Sequence, residues 1–307
     1  MKQFNFELFI AIILSLIFLS GCSTTKKTAA PDPSIAKLQE ANTAFNSGDY
    51  QKSLTLYEEL LEMQRVQKKT VDSIVFQNAG IAAWELKQPE KSLQYLEIAK
   101  RSTAATPQTY SILTKICLQI DNLSKEITNL EAYINKYPQG EEIGAMRKQL
   151  FMAYVRSENW ELADKAWGVL DKTTQNEVPV LDGYLTVNRS LDKKDMVDKL
   201  AKQLLKVDKN NINALDIIAE KYYWLAENRY LKEMKAYQAN RTEKQYQQLL
   251  EAFKGVNENF KISLDYYLRL YKLDPKTRYA TFIGNIYNRF ENKEKAEYYH
   301  NLAKKKQ

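Results

Sequence analysis

The sequence predicts an all-α protein built from stacked helical hairpins, and three observations carry that expectation. The first is composition: the 307 residues include only 9 Gly and 7 Pro, while Lys, Glu, Leu, Ala, Gln and Tyr are abundant. Gly and Pro are the strongest local breakers, and most of the abundant types are good helix formers. The second is self-similarity. Residues 44–62 (AFNSGDYQKSLTLYEELLE) and 83–101 (AWELKQPEKSLQYLEIAKR) share a small-aromatic start, a short polar turn, Lys-Ser-Leu and a second apolar helical stripe. The third is a recurring anchor early in each second helix, at Ser53, Ser92, Glu126, Ala163, Val197, Ser263 and Ala296, with intervals of 39, 34, 37, 34, 66 and 33 residues.

The first element of the chain is not part of this pattern. Residues 8–19 are apolar apart from Ser15. They are too few for a bilayer-crossing helix, which needs about 20 residues, but they fit the apolar core of a secretory signal, with Lys2 as its positive flank. Leu19-Ser20-Gly21-Cys22 follows at once and resembles the lipobox of bacterial lipoproteins. The resemblance implies that residues 1–21 are a signal peptide and that Cys22 becomes the lipidated N-terminus. Several acyl chains on one residue anchor a protein stably, where one chain does so only marginally. Ser23 is not the aspartate that holds such proteins at the inner membrane, and no acidic cluster follows Cys22. The resemblance therefore implies the periplasmic face of the outer membrane. Residues 22–33, with the run STTKKTAAPDP, read as a flexible tether.

Residues 34–212 hold repeats one to five. Asp32-Pro33 is a helix start, an N-cap followed by proline at the first helical position. The repeats resemble the tetratricopeptide repeat (TPR), a helix–turn–helix unit with a period of about 34 residues. A small residue stands twelve before the anchor at Ala41, Gly80 and Gly284, and Gly48 with Tyr50 marks the first turn. An aromatic stands four after the anchor at Tyr57, Trp167 and Tyr267, and a terminating proline twelve after it at Pro138 and Pro275. The match is degenerate in repeats three to five: Glu126 and Val197 are poor residues for a tightly packed anchor, and Phe151 replaces a small residue. The resemblance implies a right-handed solenoid of about seven repeats. Stacking buries the faces that no single hairpin can cover.

Residues 213–307 contain the interval of 66. One apolar stripe runs from Leu215 to Tyr237, and another from Tyr246 to Tyr271 with Asn257 on the same seam; Gly255 is the weak point of the second. Thr242-Glu243-Lys244-Gln245 reads as a capping box between them. We expect one elongated hairpin whose turn end projects, followed by a final repeat. The alternative is two degenerate ordinary repeats.

Composition and motifs exclude most chemistry. His300 is the only histidine, which removes His-pair metal sites and His-based triads, and no nucleophile elbow or phosphate-binding glycine loop occurs. Glu58-Glu59 and Glu141-Glu142 are adjacent on helices and point apart. Cys117 lies on an apolar helical face and reads as a buried free thiol. No enzyme and no cofactor is expected. The net charge of +7 fits an anionic membrane surface or an acidic partner, and no nucleic acid is expected for an exported chain.

The resemblance implies that first helices line a concave groove. Mapped onto this chain, the groove positions are Asn42, Phe45 and Asn46, then Gln77, Ile81 and Trp84, and further on Lys115, Leu118, Gln119, Arg156 and Arg189. This mixture of amides, cations and a few apolar groups suits an extended peptide or polar protein segment. Leu38 stands where the carboxylate clamp of chaperone-binding relatives needs lysine, so a chaperone tail is disfavoured. The expected function is a protein–protein scaffold or adaptor for an envelope assembly, secretion or cell-wall complex. The alternative is a direct glycan or peptidoglycan binder that uses groove aromatics.

Overall fold

The computed structural model describes residues 32–304, so the lipobox, Cys22 and most of the tether lie outside the described residues. Every regular element among the described residues is an α-helix. The chain divides into two compact units, Met1–Thr70 and Val71–Gln307. Hairpins two to seven, all in the second unit, pack on one another in chain order.

The first unit is one hairpin of α1 (Pro33–Asn46) and α2 (Tyr50–Val66). Asp32 accepts the Ser34 N–H at 3.0 Å, so the helix starts at the predicted Pro33. Gly48 takes φ 79°, a left-handed turn that glycine adopts without a Cβ penalty. Asp49 then caps α2 through the Lys52 N–H. Ala41, Ala44, Ser53, Tyr57 and Leu60 are buried between the two helices.

The second unit contains six further hairpins. They are α3 (Ser73–Glu85) with α4 (Pro89–Ala99), α5 (Pro107–Gln119) with α6 (Leu123–Lys136), and α7 (Ile143–Arg156) with α8 (Trp160–Trp167). After a single turn, α9 (Lys172–Gln175), come α10 (Val178–Ser190) with α11 (Lys194–Val207), α12 (Ile212–Ala239) with α13 (Glu243–Leu273), and α14 (Thr277–Arg289) with α15 (Lys293–Lys304). The interval of 66 is thus one elongated hairpin, of 28 and 31 residues, and the described chain holds seven hairpins. Of the expected capping box only half forms: Thr242 accepts the Gln245 N–H at 3.3 Å.

The backbone verifies the repeat register at places where side chains disguise it. Lys87, Asp121, Glu158, Asp192 and Glu291 all have positive φ, between 53° and 60°. Each stands five residues before its anchor, as Gly48 does before Ser53. Only the long hairpin lacks this turn. The small residue twelve before the anchor is explained by the residue four after it: a Cβ on Gly80 would lie 2.6 Å from Leu96, and one on Gly284 would lie 2.3 Å from His300. The lone histidine is therefore a packing residue, held by Asn285 Oδ1 at 3.0 Å.

The degenerate positions have compensations. Phe151 is fully buried because Gly183 faces it, where a Cβ would stand 3.3 Å from its ring. Trp167 stacks on Tyr184 at 3.9 Å, and so joins the core around Tyr133 and Phe151 to the next one around Leu185 and Leu204. Tyr266 joins that cluster to a third around Phe260 and Tyr267. Within the second unit, hairpins three to seven thus share side chains across their joints, which is how stacked repeats bury a continuous core.

Candidate functional site

In the first unit, Asn42 Oδ1 accepts the Tyr57 hydroxyl at 2.7 Å, and Phe45 lies edge-on to Tyr50 and Tyr57 at 5.8 and 6.4 Å. Asn46, at the end of α1, is exposed. Asn42 and Phe45 therefore contribute partly to packing and only partly to a surface.

In the second unit the mapped residues separate. Gln77 is buried at 2% exposure; its Nε2 donates to Thr106 Oγ1 at 2.6 Å, and its Oε1 accepts from the Thr109 hydroxyl. Its amide couples α3 to the start of α5 and is not presented to a ligand. Ile81, four residues further along α3, is buried as well. Trp84 and Lys115, in contrast, come together in one cleft of about 390 Å³, walled also by Gln108, Ser111, Tyr133 and Glu141. Leu118 and Gln119 are exposed at the end of α5.

Arg156 has a partner inside the fold. Its Nη2 donates to both carboxylate oxygens of Glu126, at 2.6 and 2.7 Å. The Glu126 side chain is 3% exposed and that of Arg156 39%. An unfavourable anchor is thus accommodated by a cation from the next hairpin, because a buried charge must be paired. Arg189 approaches Glu220 at 3.5 Å and lines a second cleft of about 460 Å³ with Asp195, Asp198, Ile217 and Lys221.

Sequence reading missed a polar ladder along the first helices of the last three hairpins. Asn213 donates to Asp182 at 2.8 Å. Arg278 pairs with Asp216 at 2.6 Å and Glu220 at 3.1 Å, and Arg289 donates through Nε to Glu227 at 3.0 Å. Asn213 and Asp182 stand 31 residues apart, and Arg278–Asp216 and Arg289–Glu227 each stand 62 apart across the long hairpin. That recurrence was the available signal. A third cleft, of about 550 Å³, opens at the ladder's start between Asp182, Asp208, Asn213, Asp216 and Tyr279.

Cys117 is a buried free thiol whose Sγ accepts the Asn129 amide at 3.6 Å, and burial pushes its pKa up, away from reactivity. Among the described residues no group of three or more His, Cys, Asp or Glu is placed to hold a metal ion.

Stacked two-helix units with a shared turn register define this chain as an all-α, TPR-like helical-hairpin solenoid protein. No protein-family model and no curated protein matches its sequence. Similar solved structures include the C-terminal part of a TPR repeat-containing protein from Cytophaga hutchinsonii, at 14% identity and TM-score 0.46, with 87% of this chain and 93% of that one covered. A tetratricopeptide repeat protein from Parabacteroides merdae is similar at 11% identity and TM-score 0.39, over 89% and 92% of the two chains. YrrB, a TPR protein with an unusual peptide-binding site, is similar at 11% identity and TM-score 0.44, over 60% of this chain and 90% of that one.

Proposed function

We propose that this chain is a non-enzymatic protein–protein interaction scaffold, anchored by acylated Cys22 at the periplasmic face of the bacterial outer membrane and serving an envelope assembly, secretion or cell-wall complex. The anchor rests on Leu19-Ser20-Gly21-Cys22. The scaffold reading rests chiefly on the cleft between α3 and α5. Its aromatic wall at Trp84, cation at Lys115, amide at Gln108 and carboxylate at Glu141 suit an extended polypeptide, which offers apolar side chains and backbone polar groups together. Gln119 is exposed at the end of α5, Asn46 offers an amide in the first unit, and Arg189 borders a further cleft. Arg156 and Gln77 act indirectly, by holding the hairpins that carry these groups.

The test is site-specific photo-crosslinking in cells, with the crosslinker at Lys115 or Gln119 and a control at Glu161 on α8. One stoichiometric envelope protein captured from the first two sites and not from the control is expected. Capture of no protein, together with retention of the chain on purified sacculi, would replace the scaffold by a peptidoglycan binder. Cys22→Ala is expected to release the protein from the outer membrane while its helical circular dichroism stays unchanged; continued membrane retention would remove the lipid anchor from the proposal.

A further inference from the structure

One side of the long hairpin belongs neither to the ladder nor to the clefts. On α12, Trp224, Leu225 and Leu231 are 45%, 49% and 52% exposed. Lys232 and Lys235 are exposed on the same helix and enter no ion pair among the described residues. At about 100° per residue these five side chains, with the exposed amide of Asn228 among them, fall within about a third of the helix circumference. No acidic residue shares that stripe. Glu220 and Glu227 are turned to Arg278 and Arg289, and Glu233 lies on the opposite side. On the flanking helices, Asp198 of α11 is engaged by Lys202 and Lys221, and Glu251 of α13 by Lys254.

Trp224 and Leu225 lie level with the ends of the neighbouring first helices, and the Leu231, Lys232 and Lys235 end of the face projects past them. Arg189, at the end of α10, meets Glu220, and Arg289, at the end of α14, meets Glu227. Beyond Glu227, α12 continues to Ala239 past both neighbouring first helices, a further 18 Å or so at 1.5 Å per residue. Arg289 of α14 still reaches the Tyr230 ring, at 4.0 Å, and past Tyr230 α13 accompanies the helix, as in the Tyr237–Tyr246 pair at 5.8 Å. This projecting end is basic. Residues 228–248 hold five cations (Arg229, Lys232, Lys235, Arg241 and Lys244) against two carboxylates (Glu233 and Glu243), which is +3 of the chain's +7.

Single exposed leucines need no explanation. A tryptophan and two leucines interleaved with two unpaired lysines, on one stripe without a carboxylate that runs into the basic projecting end, form a basic amphipathic surface. We propose that this stripe docks on an anionic phospholipid surface. The Trp224 ring suits the headgroup level, Leu225 and Leu231 suit the acyl boundary, and the Lys232 and Lys235 stems carry their charges to the phosphates. Arg241 and Lys244, exposed at the hairpin turn, add to the same attraction. An acidic protein surface would engage the cations and leave the three apolar side chains without partners. The stripe is the outer surface of a single helix and lines none of the clefts, so it matches a plane better than a protruding segment. No helix among the described residues is long and apolar enough to cross a membrane, so α12 lies on the surface. The inference does not depend on acylation of Cys22.

The test uses the full chain and vesicles of phosphatidylglycerol or phosphatidylcholine with brominated acyl chains, which quench tryptophan at short range. The Trp224 signal is the difference between the parent and Trp224→Phe, so binding through the N-terminus does not contribute to it. The expected result is quenching by phosphatidylglycerol that is lost at high salt and weak with phosphatidylcholine. In the double variant Lys232→Gln, Lys235→Gln, half-quenching should need roughly 25-fold more lipid, about fivefold per cation. Leu231→Ser should weaken quenching without changing its salt dependence. Equal quenching by both lipids, or none while the chain sediments with the vesicles, overturns the proposal. So does a shift of Trp224 emission by poly-glutamate with no effect of vesicles, which would assign the face to an acidic protein.

Discussion

Removing the Arg156 guanidinium tests whether that residue is a ligand contact or a structural counter-ion. In Arg156→Ala, Glu126 loses the donor that meets both of its oxygens while its side chain stays 3% exposed. Breaking a buried pair in this way costs about 3–5 kcal/mol. Arg156 itself is 39% exposed, so water can enter where its head stood, and the expected loss falls to about 2–3 kcal/mol. The second variant is Glu126→Ala, which installs the residue that the fold already uses as anchor at Ala163 and Ala296. Arg156 can then turn to solvent, so this change should cost no more than about 1 kcal/mol. In the double variant the Arg156 truncation should be nearly silent, giving a coupling energy of about 2 kcal/mol. Urea midpoints of the four proteins, read by circular dichroism, measure the cycle. A loss below about 0.5 kcal/mol for Arg156→Ala, or the same loss with and without Glu126, would refute the structural assignment and return Arg156 to the binding surface.

Two further perturbations probe the repeat grammar. Gly80→Ala places a Cβ 2.6 Å from buried Leu96, and the resulting overpacking should lower stability by about 1–3 kcal/mol in the same melts; an unchanged midpoint would show that the joint between α3 and α4 is slack. At the turn register, Glu158→Gly, at φ 56°, should stabilise by about 0.5–1 kcal/mol, and Gly48→Ala, at φ 79° with open space around the new Cβ, should destabilise by about 1 kcal/mol. Opposite signs at these two sites are the diagnostic result, and a loss at both would contradict the equivalence of the turns.

The helices and their pairing were legible because a hairpin is a local object. Apolar spacing, Asp32-Pro33, Gly48 and the anchor intervals are read within one repeat, and they located all seven second helices, including the long α13. The turn register was legible only at Gly48. Lys87, Asp121, Glu158, Asp192 and Glu291 carry no glycine to announce a left-handed backbone, so the same geometry was hidden by the side chains. The candidate surface was less legible still. Gln77 and Arg156 occupy positions that the pattern assigns to a groove, yet Thr106, Thr109 and Glu126 claim them.

The sequence by itself determined the helical class, the hairpin unit and the elongated sixth hairpin, since each depends on residues within a few turns of one another. Tertiary structure alone decided which polar groups are free to act. A partner about 30 residues away, or 62 across the long hairpin, buries one amide at Gln77, ties one cation at Arg156, and leaves Trp84 and Lys115 facing a common cleft. Helical periodicity states which way a side chain points on its own helix. What stands opposite is set by the stacking of whole hairpins, and a buried polar group stays buried only if that stacking supplies its partner.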